Sequence, residues 1–264
     1  MGAMVTETAV VSHAENVMGT VVSITVAPGN QSGKTAARAI ESACAVLHRA
    51  DTTFSTWDSQ SPVSRLRRGT ATLSELPAEV ADVLELCEGA WKASGGWFDP
   101  WAIEGGVDPT GLVKGWAVDQ ALAVLREAGM DAAMVNGGGD IAVFGEPAPG
   151  QAWRIGIRHP WRADALAAIV EVTAAVATSG SYERGSHLLN PFTGQLATKA
   201  ASATITGPSL ALADALATAL AVGGDEVLGM VAQLDCYAGY LIRPDGSEAD
   251  TGDIVFASSP LGPV

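Results

Sequence analysis

The sequence predicts an α+β fold, and three observations carry that expectation. Apolar residues recur at helical spacing in some segments and alternate in others. The two kinds of segment follow one another without a regular βαβ rhythm, which disfavours a doubly wound parallel sheet. The 264 residues, 48% hydrophobic and 17% charged, are enough to bury a substantial core.

Taken in order, Gly19 to Val26 alternates, with Val22, Ile24 and Val26 on one face, and reads as a strand. Thr35 to Arg49 places Ala36, Ile40, Ala43, Cys44 and Leu47 at helical spacing. Phe54 to Asp58 is a short segment running into a Ser/Pro turn. Pro77 suits a first helical residue, Val80, Val83, Leu84, Cys87 and Trp91 share the face that follows, and Gly95-Gly96 ends the helix. Lys114 to Ala128 is a third helix, stopped by Gly129. Met134-Val135 and Ile141 to Phe144 flank a glycine run as two strands joined by a tight turn. Trp153, Ile155 and Ile157 alternate, and Val170 to Val176 and Ala203 to Thr206 are rich in β-formers. Pro208 to Val222 is an almost wholly apolar helix. Tyr237 to Ile242 and Ile254 to Phe256 close the chain as strands, around a hairpin turn at Asp245 to Asp253. Residues 1–15 read as an N-terminal tail, in which Met1 to Met4 resembles a tag remnant, and residues 16–264 as one domain.

The formal net charge of −14 argues against nucleic acid or an anionic membrane as partner, since both demand basic patches. It also means that an anionic substrate needs a local lysine or a metal ion to enter. Cys44, Cys87 and Cys236 are odd in number and widely spaced, so disulfide and zinc-site readings are poor. They read as small buried hydrophobes. No apolar run reaches the ~18 residues of a membrane span, and no secretory signal pattern opens the chain.

Five segments carry chemistry. Asp214 and Thr218 lie four apart on a predicted helix and share a face. Either the Asp serves the helix N-terminus, or the two oxygens hold a hard cation such as Mg²⁺. Asp108-Pro-Thr-Gly111-Leu-Val-Lys114-Gly115 puts a lysine in a first helical turn, where the dipole disfavours it, which suggests service to an anion. The alternative is a surface lysine. Thr178-Ser-Gly-Ser181, followed by His187 to Gly194, combines small hydroxyls around a glycine with a lone histidine, either structural or a general acid/base. Gly95-Gly-Trp-Phe-Asp99-Pro-Trp101 either clasps a flat ring system or packs the core. Asn136-Gly-Gly-Gly-Asp140 lacks the spacing of a dinucleotide fingerprint.

In this order the set resembles the ApbE-type FAD:protein FMN transferases. The resemblance rests on Met18-Gly-Thr20, Phe54-Ser-Thr-Trp57, Gly96 to Pro100, Asp108 to Asp119, Asn136 to Asp140, Thr178 to Tyr182, His187 to Gly194 and Asp214 to Thr218. It implies a single α+β domain around a central FAD cleft. It implies Mg²⁺ held by Asp214, Thr218 and the backbone carbonyl of Val113. FAD contacts are expected from Met18, Trp57, Trp97, Phe98, Asp99, Thr110, Lys114, Ser179, His187 and Leu188. Trp57 stands where the family often has tyrosine. The implied reaction cuts the FAD pyrophosphate, attaches FMN to a Thr or Ser of an acceptor flavoprotein and releases AMP. His187 is the expected general base, with Asp214 as the alternative. An FAD pyrophosphatase and a non-catalytic FAD carrier are the rival readings. The expected setting is a bacterial protein in the cytoplasm or at the cytoplasmic membrane.

Overall fold

A computed structural model describes residues 10–102, 106–180 and 188–257. Eight strands form one antiparallel sheet, in the order β1 (Val11–Val17), β2 (Thr20–Ala27), β3 (Ala132–Gly137), β4 (Asp140–Phe144), β7 (Ala175–Gly180), β8 (Ser202–Gly207), β9 (Ala238–Ile242) and β10 (Glu248–Asp250). A separate hairpin pairs β5 (Trp153–His159) with β6 (Arg162–Val172). The helices are α1 (Gly33–Phe54), α2 (Pro62–Arg67), α3 (Ala78–Ala93), α4 (Thr110–Glu127), α5 (Leu210–Gly223) and α6 (Asp225–Val231).

Strand periodicity divides these elements into three layers. On one face of the sheet, Val22, Ile24, Val26, Ala133, Val135, Ala177, Ile205 and Leu241 pack against α1, α4 and α5 in the larger core. On the other face, Ile141, Val143, Val176, Tyr240 and Ile242 meet Ile157, Val170 and Val172 of the hairpin in a second core. Successive residues of a strand point to opposite faces, so a slip of one residue would exchange the two cores.

Helix α1 is capped by the Ser32 hydroxyl, which accepts the Thr35 N–H at 3.1 Å. It buries Ala36, Ala39, Ile40, Ala43, Leu47 and Phe54 in one stripe. Helix α5 has almost no exposed face, because α4 crosses it closely. A Cβ on Gly115 would lie 2.4 Å from the Leu210 carbonyl oxygen, so only glycine permits this approach.

Several sequence expectations are corrected. Val11–Val17 is an edge strand, so the sheet begins inside the stretch assigned to a tail. Phe54 ends α1 rather than opening a new segment, and Pro77 is the cap before α3. Val170 to Val176 is two strand ends, because the chain turns between Val172 and Ala175 from the hairpin into the main sheet. Phe256 makes an isolated bridge to Val170 rather than a strand, and Glu248–Asp250 of the expected hairpin turn is itself the edge strand β10. Cys44 and Cys87 are buried as expected, but Cys236 is exposed. Among the described residues, no helix is long and apolar enough to cross a membrane.

Candidate active site

A cleft of about 810 Å³ opens where one end of the sheet meets α4 and α5. Tight turns place its floor. The β1–β2 turn consists of Met18 and Gly19, both at positive φ (53° and 69°), between the paired residues Val17 and Thr20. This turn type matches the twist of the flanking strands and usually demands glycine or asparagine, so Met18 is held there against its own preference. Gly19 and Thr20 line the cleft. The β3–β4 turn is closed by Asn136, whose side-chain oxygen accepts the Gly139 N–H at 2.7 Å, and it brings Asp140 to the cleft.

Asp140, Lys114 and Asp214 form its electrostatic centre. The Lys114 ammonium pairs with Asp140 and lies 3.3 Å from Asp214 Oδ2. Asp140 Oδ1 also accepts the Thr178 N–H at 2.9 Å, and Asp214 Oδ2 accepts the Gly115 N–H at 3.2 Å. Asp140 and Asp214 are only 4% and 5% exposed, so these partners are what make the buried charges tolerable. Lys114 is the fifth residue of α4, one turn further in than the sequence suggested, and its ammonium meets a pair of carboxylates.

Asp214 is the fifth residue of α5 and does not cap it. That work falls to Asp119 of α4, which accepts from the Ser209 hydroxyl and from the Leu210 and Ala211 N–H groups at 3.0, 3.1 and 3.0 Å. Burial pushes the Asp119 carboxyl up, and those donors oppose the shift. With the helix start satisfied by Asp119, Asp214 turns toward Lys114 and the cleft. One turn along α5, Thr218 also lines the cleft, and its hydroxyl lies 3.4 Å from that of Ser179 on β7.

One wall is apolar. Trp97 and Phe98 are buried yet line the cleft. Trp97 is fixed edge-on to Phe192 at 4.8 Å and donates to Glu226 at 3.3 Å, and Phe98 N–H is held by the Ser94 hydroxyl at 3.0 Å. They are therefore both core residues and cleft residues, whereas Trp101 is partly exposed and lies outside the lining. Asp108 Oδ1 accepts both the N–H and the hydroxyl of Thr110, at 3.0 and 2.6 Å, and so fixes the start of α4 at the cleft edge.

The architecture has known counterparts. A model of the ApbE family matches residues 18–104 and 102–240. The chain belongs to the ApbE family. An FAD:protein FMN transferase of Rhodobacter capsulatus is 34% identical over 151 residues, covering 53% of this chain and 29% of that protein. One from Vibrio cholerae is 36% identical over 131 residues, covering 46% of this chain and 39% of that protein. The chain thus spans well under half the length of these curated relatives. Among solved structures, the flavin transferase ApbE of Vibrio cholerae superposes with a TM-score of 0.78 at 23% identity, covering 92% of this chain and 96% of that one. The ApbE protein of Thermotoga maritima gives 0.78 at 23% identity, covering 91% and 96%. These likenesses establish that the α+β fold is that of ApbE proteins.

The ApbE resemblance is met unevenly by the geometry. Trp97, Phe98, Asp99, Thr110, Lys114, Ser179, Leu188, Asp214 and Thr218 all line the one cleft. Met18, in the β1–β2 turn, packs on the core and is outside the lining, and the Val113 side chain is buried in α4. Trp57 is 97% exposed and also stands apart from the lining. His187, with Ser181 and Tyr182, lies outside the described residues. Sequence reasoning missed the far wall, formed by Arg158, His159, Pro160 and Trp161 at the β5–β6 turn. Its signal was present: a cationic and aromatic cluster between two alternating segments of an acidic chain.

Proposed function

We propose that this chain is an FAD:protein FMN transferase. It cuts the FAD pyrophosphate, joins FMN through a phosphoester to a Thr or Ser hydroxyl of an acceptor flavoprotein, and releases AMP. The observation that carries the reading is the convergence of Asp214, Thr218, Lys114 and Asp140 in a cleft that Trp97 and Phe98 also line. The curated relatives bear the name of that activity.

The donors offered by Asp214 and Thr218 are oxygens on one helix face. That set fits a hard divalent cation such as Mg²⁺ and not a thiophilic one. Asp214, Thr218 and the Val113 carbonyl would hold the ion, which supplies charge neutralisation at the pyrophosphate and Lewis-acid polarisation of the scissile linkage. Lys114 would offer its ammonium to a phosphate oxygen. Trp97 and Phe98 offer an apolar face to a flat ring. Arg158 and His159 add donors on the far side of the cleft. His187 takes the proton of the acceptor hydroxyl, with Asp214 as the alternative base.

Mass spectrometry of candidate acceptor flavoproteins after incubation with the protein, FAD and Mg²⁺ tests the reading. The expected result is one added FMN on a Thr or Ser, with an equal amount of AMP. AMP and free FMN appearing equally fast without any acceptor would make the protein an FAD pyrophosphatase. Tight FAD binding with no AMP would make it a carrier.

A further inference from the structure

Outside the cleft lining, the edge strand and α1 bring four metal-binding side chains together. His13 and Glu15 sit two apart on β1. They share strand parity with Val11 and Val17, which pack on the larger core, so both point toward the helices. Facing them on α1, Cys44 and His48 sit four apart on one helix face. His13 Nε2 lies 3.0 Å from Glu15 Oε2, and His48 Nε2 lies 3.1 Å from Glu15 Oε1. Ligand atoms of His13, Glu15 and Cys44 all fall within 4.8 Å of one another. Position 13 or 15 of an edge strand facing a core would ordinarily be apolar, and neither is.

We propose that His13, Glu15, Cys44 and His48 form a structural zinc site that pins β1 to α1. The residue types are those that zinc takes, two imidazoles, a carboxylate and a thiolate, and each comes from a pair spaced to share a face. Tetrahedral zinc with bonds of about 2.0–2.3 Å spaces its ligands by roughly 3.3–3.8 Å. His13, Glu15 and Cys44 already lie within 4.8 Å of one another, and His48 reaches the group through Glu15 at 3.1 Å, so closing the site takes rotamer changes that bring His48 and Cys44 inward. Binding takes Cys44 as the thiolate and releases its proton to solvent. Four protein ligands leave no open position, so the ion holds structure and performs no chemistry. Its mechanical effect reaches the cleft, because β1 runs from Glu15 into the Met18-Gly19 turn beside it. The site shares no residue with the Asp214–Thr218 pair, and the two prefer ions of different softness.

The test is a titration of the metal-free protein with Co²⁺ in excess Mg²⁺, followed by displacement with Zn²⁺. The expected result is one equivalent of Co²⁺ giving a near-ultraviolet thiolate charge-transfer band and intense visible bands of tetrahedral cobalt, both abolished by stoichiometric Zn²⁺. Cys44→Ser removes the charge-transfer band. His13→Ala and His48→Ala, at partly exposed positions that the fold tolerates, each weaken binding at least ~10-fold. Cys236→Ser, which deletes the exposed thiol, and Asp214→Asn leave the spectrum intact. Absence of the band in the wild type overturns the proposal. So does a band that survives both histidine variants, or one that vanishes in Cys236→Ser or Asp214→Asn.

Discussion

Asp214 illustrates how a single buried carboxylate acquires a role from its surroundings. Asp119 satisfies the start of α5, and Gly115 and Lys114 address one oxygen of Asp214, which leaves it directed at the cleft rather than at its own helix. Replacing Asp119 with alanine removes three hydrogen bonds at a helix terminus and should cost about 1–2 kcal/mol, read from urea denaturation. FAD binding to the folded fraction should survive. His187→Ala should lower FMN transfer by ~10²–10⁴ while FAD affinity, followed by flavin fluorescence, changes little. Unchanged turnover in that variant would hand the base role to Asp214. At this scale the sequence was readable where spacing was local, as for Asp214 and Thr218. It was silent where pairing is long-range. Nothing near Asp140 says that Lys114 will meet it, and nothing near Glu15 says that Cys44 and His48 will face it.

At the scale of elements, α1, α3, α4 and α5 were visible because each repeats its apolar stripe over several turns. Short or half-exposed elements were not. Helix α2 has only six residues, too few for a period to show, and β1 hides because Ser12 and Asn16 on its outward side are polar and two of its inward residues are His13 and Glu15. The turn between β6 and β7 was lost because alternation continues on both sides of it, although the chain changes sheet there. The α4–α5 crossing makes a clear forecast. Gly115→Ala forces a methyl against the Leu210 carbonyl and should destabilise the protein by ~1–3 kcal/mol. Because Lys114 and Asp214 sit at the same crossing, FAD turnover should fall as well. A variant with wild-type thermal stability would show that the helices can part without cost.

For the whole molecule, three layers put Lys114, Asp140, Asp214 and Thr218 at one end of one sheet, and the hairpin of β5 and β6 both builds a second core and lines the cleft. The packing also fixes a limit at high pH. Burial pushes the Tyr237 phenol up to about 12 and the Cys87 thiol up to about 12, and raises Tyr240 as well. The unfolded chain releases these protons near the ordinary values of 10.0 and 9.0, so between those values and the folded ones it holds fewer protons than the native state. Stability should therefore fall as pH rises from about 9 to 12, in urea midpoints measured across that span. A flat profile would mean that these groups are not buried as described.

The proposed chemistry depends on a cation held by Asp214 and Thr218 at the FAD pyrophosphate. The most direct test is AMP release from FAD as Mg²⁺ is titrated, comparing the wild type with Asp214→Asn and Thr218→Ala. The wild type should show a saturable requirement for Mg²⁺. Thr218→Ala should need more of the ion, and Asp214→Asn should lose at least ~100-fold in turnover at any concentration. Full turnover of the wild type in EDTA, or three superimposable titrations, would contradict it.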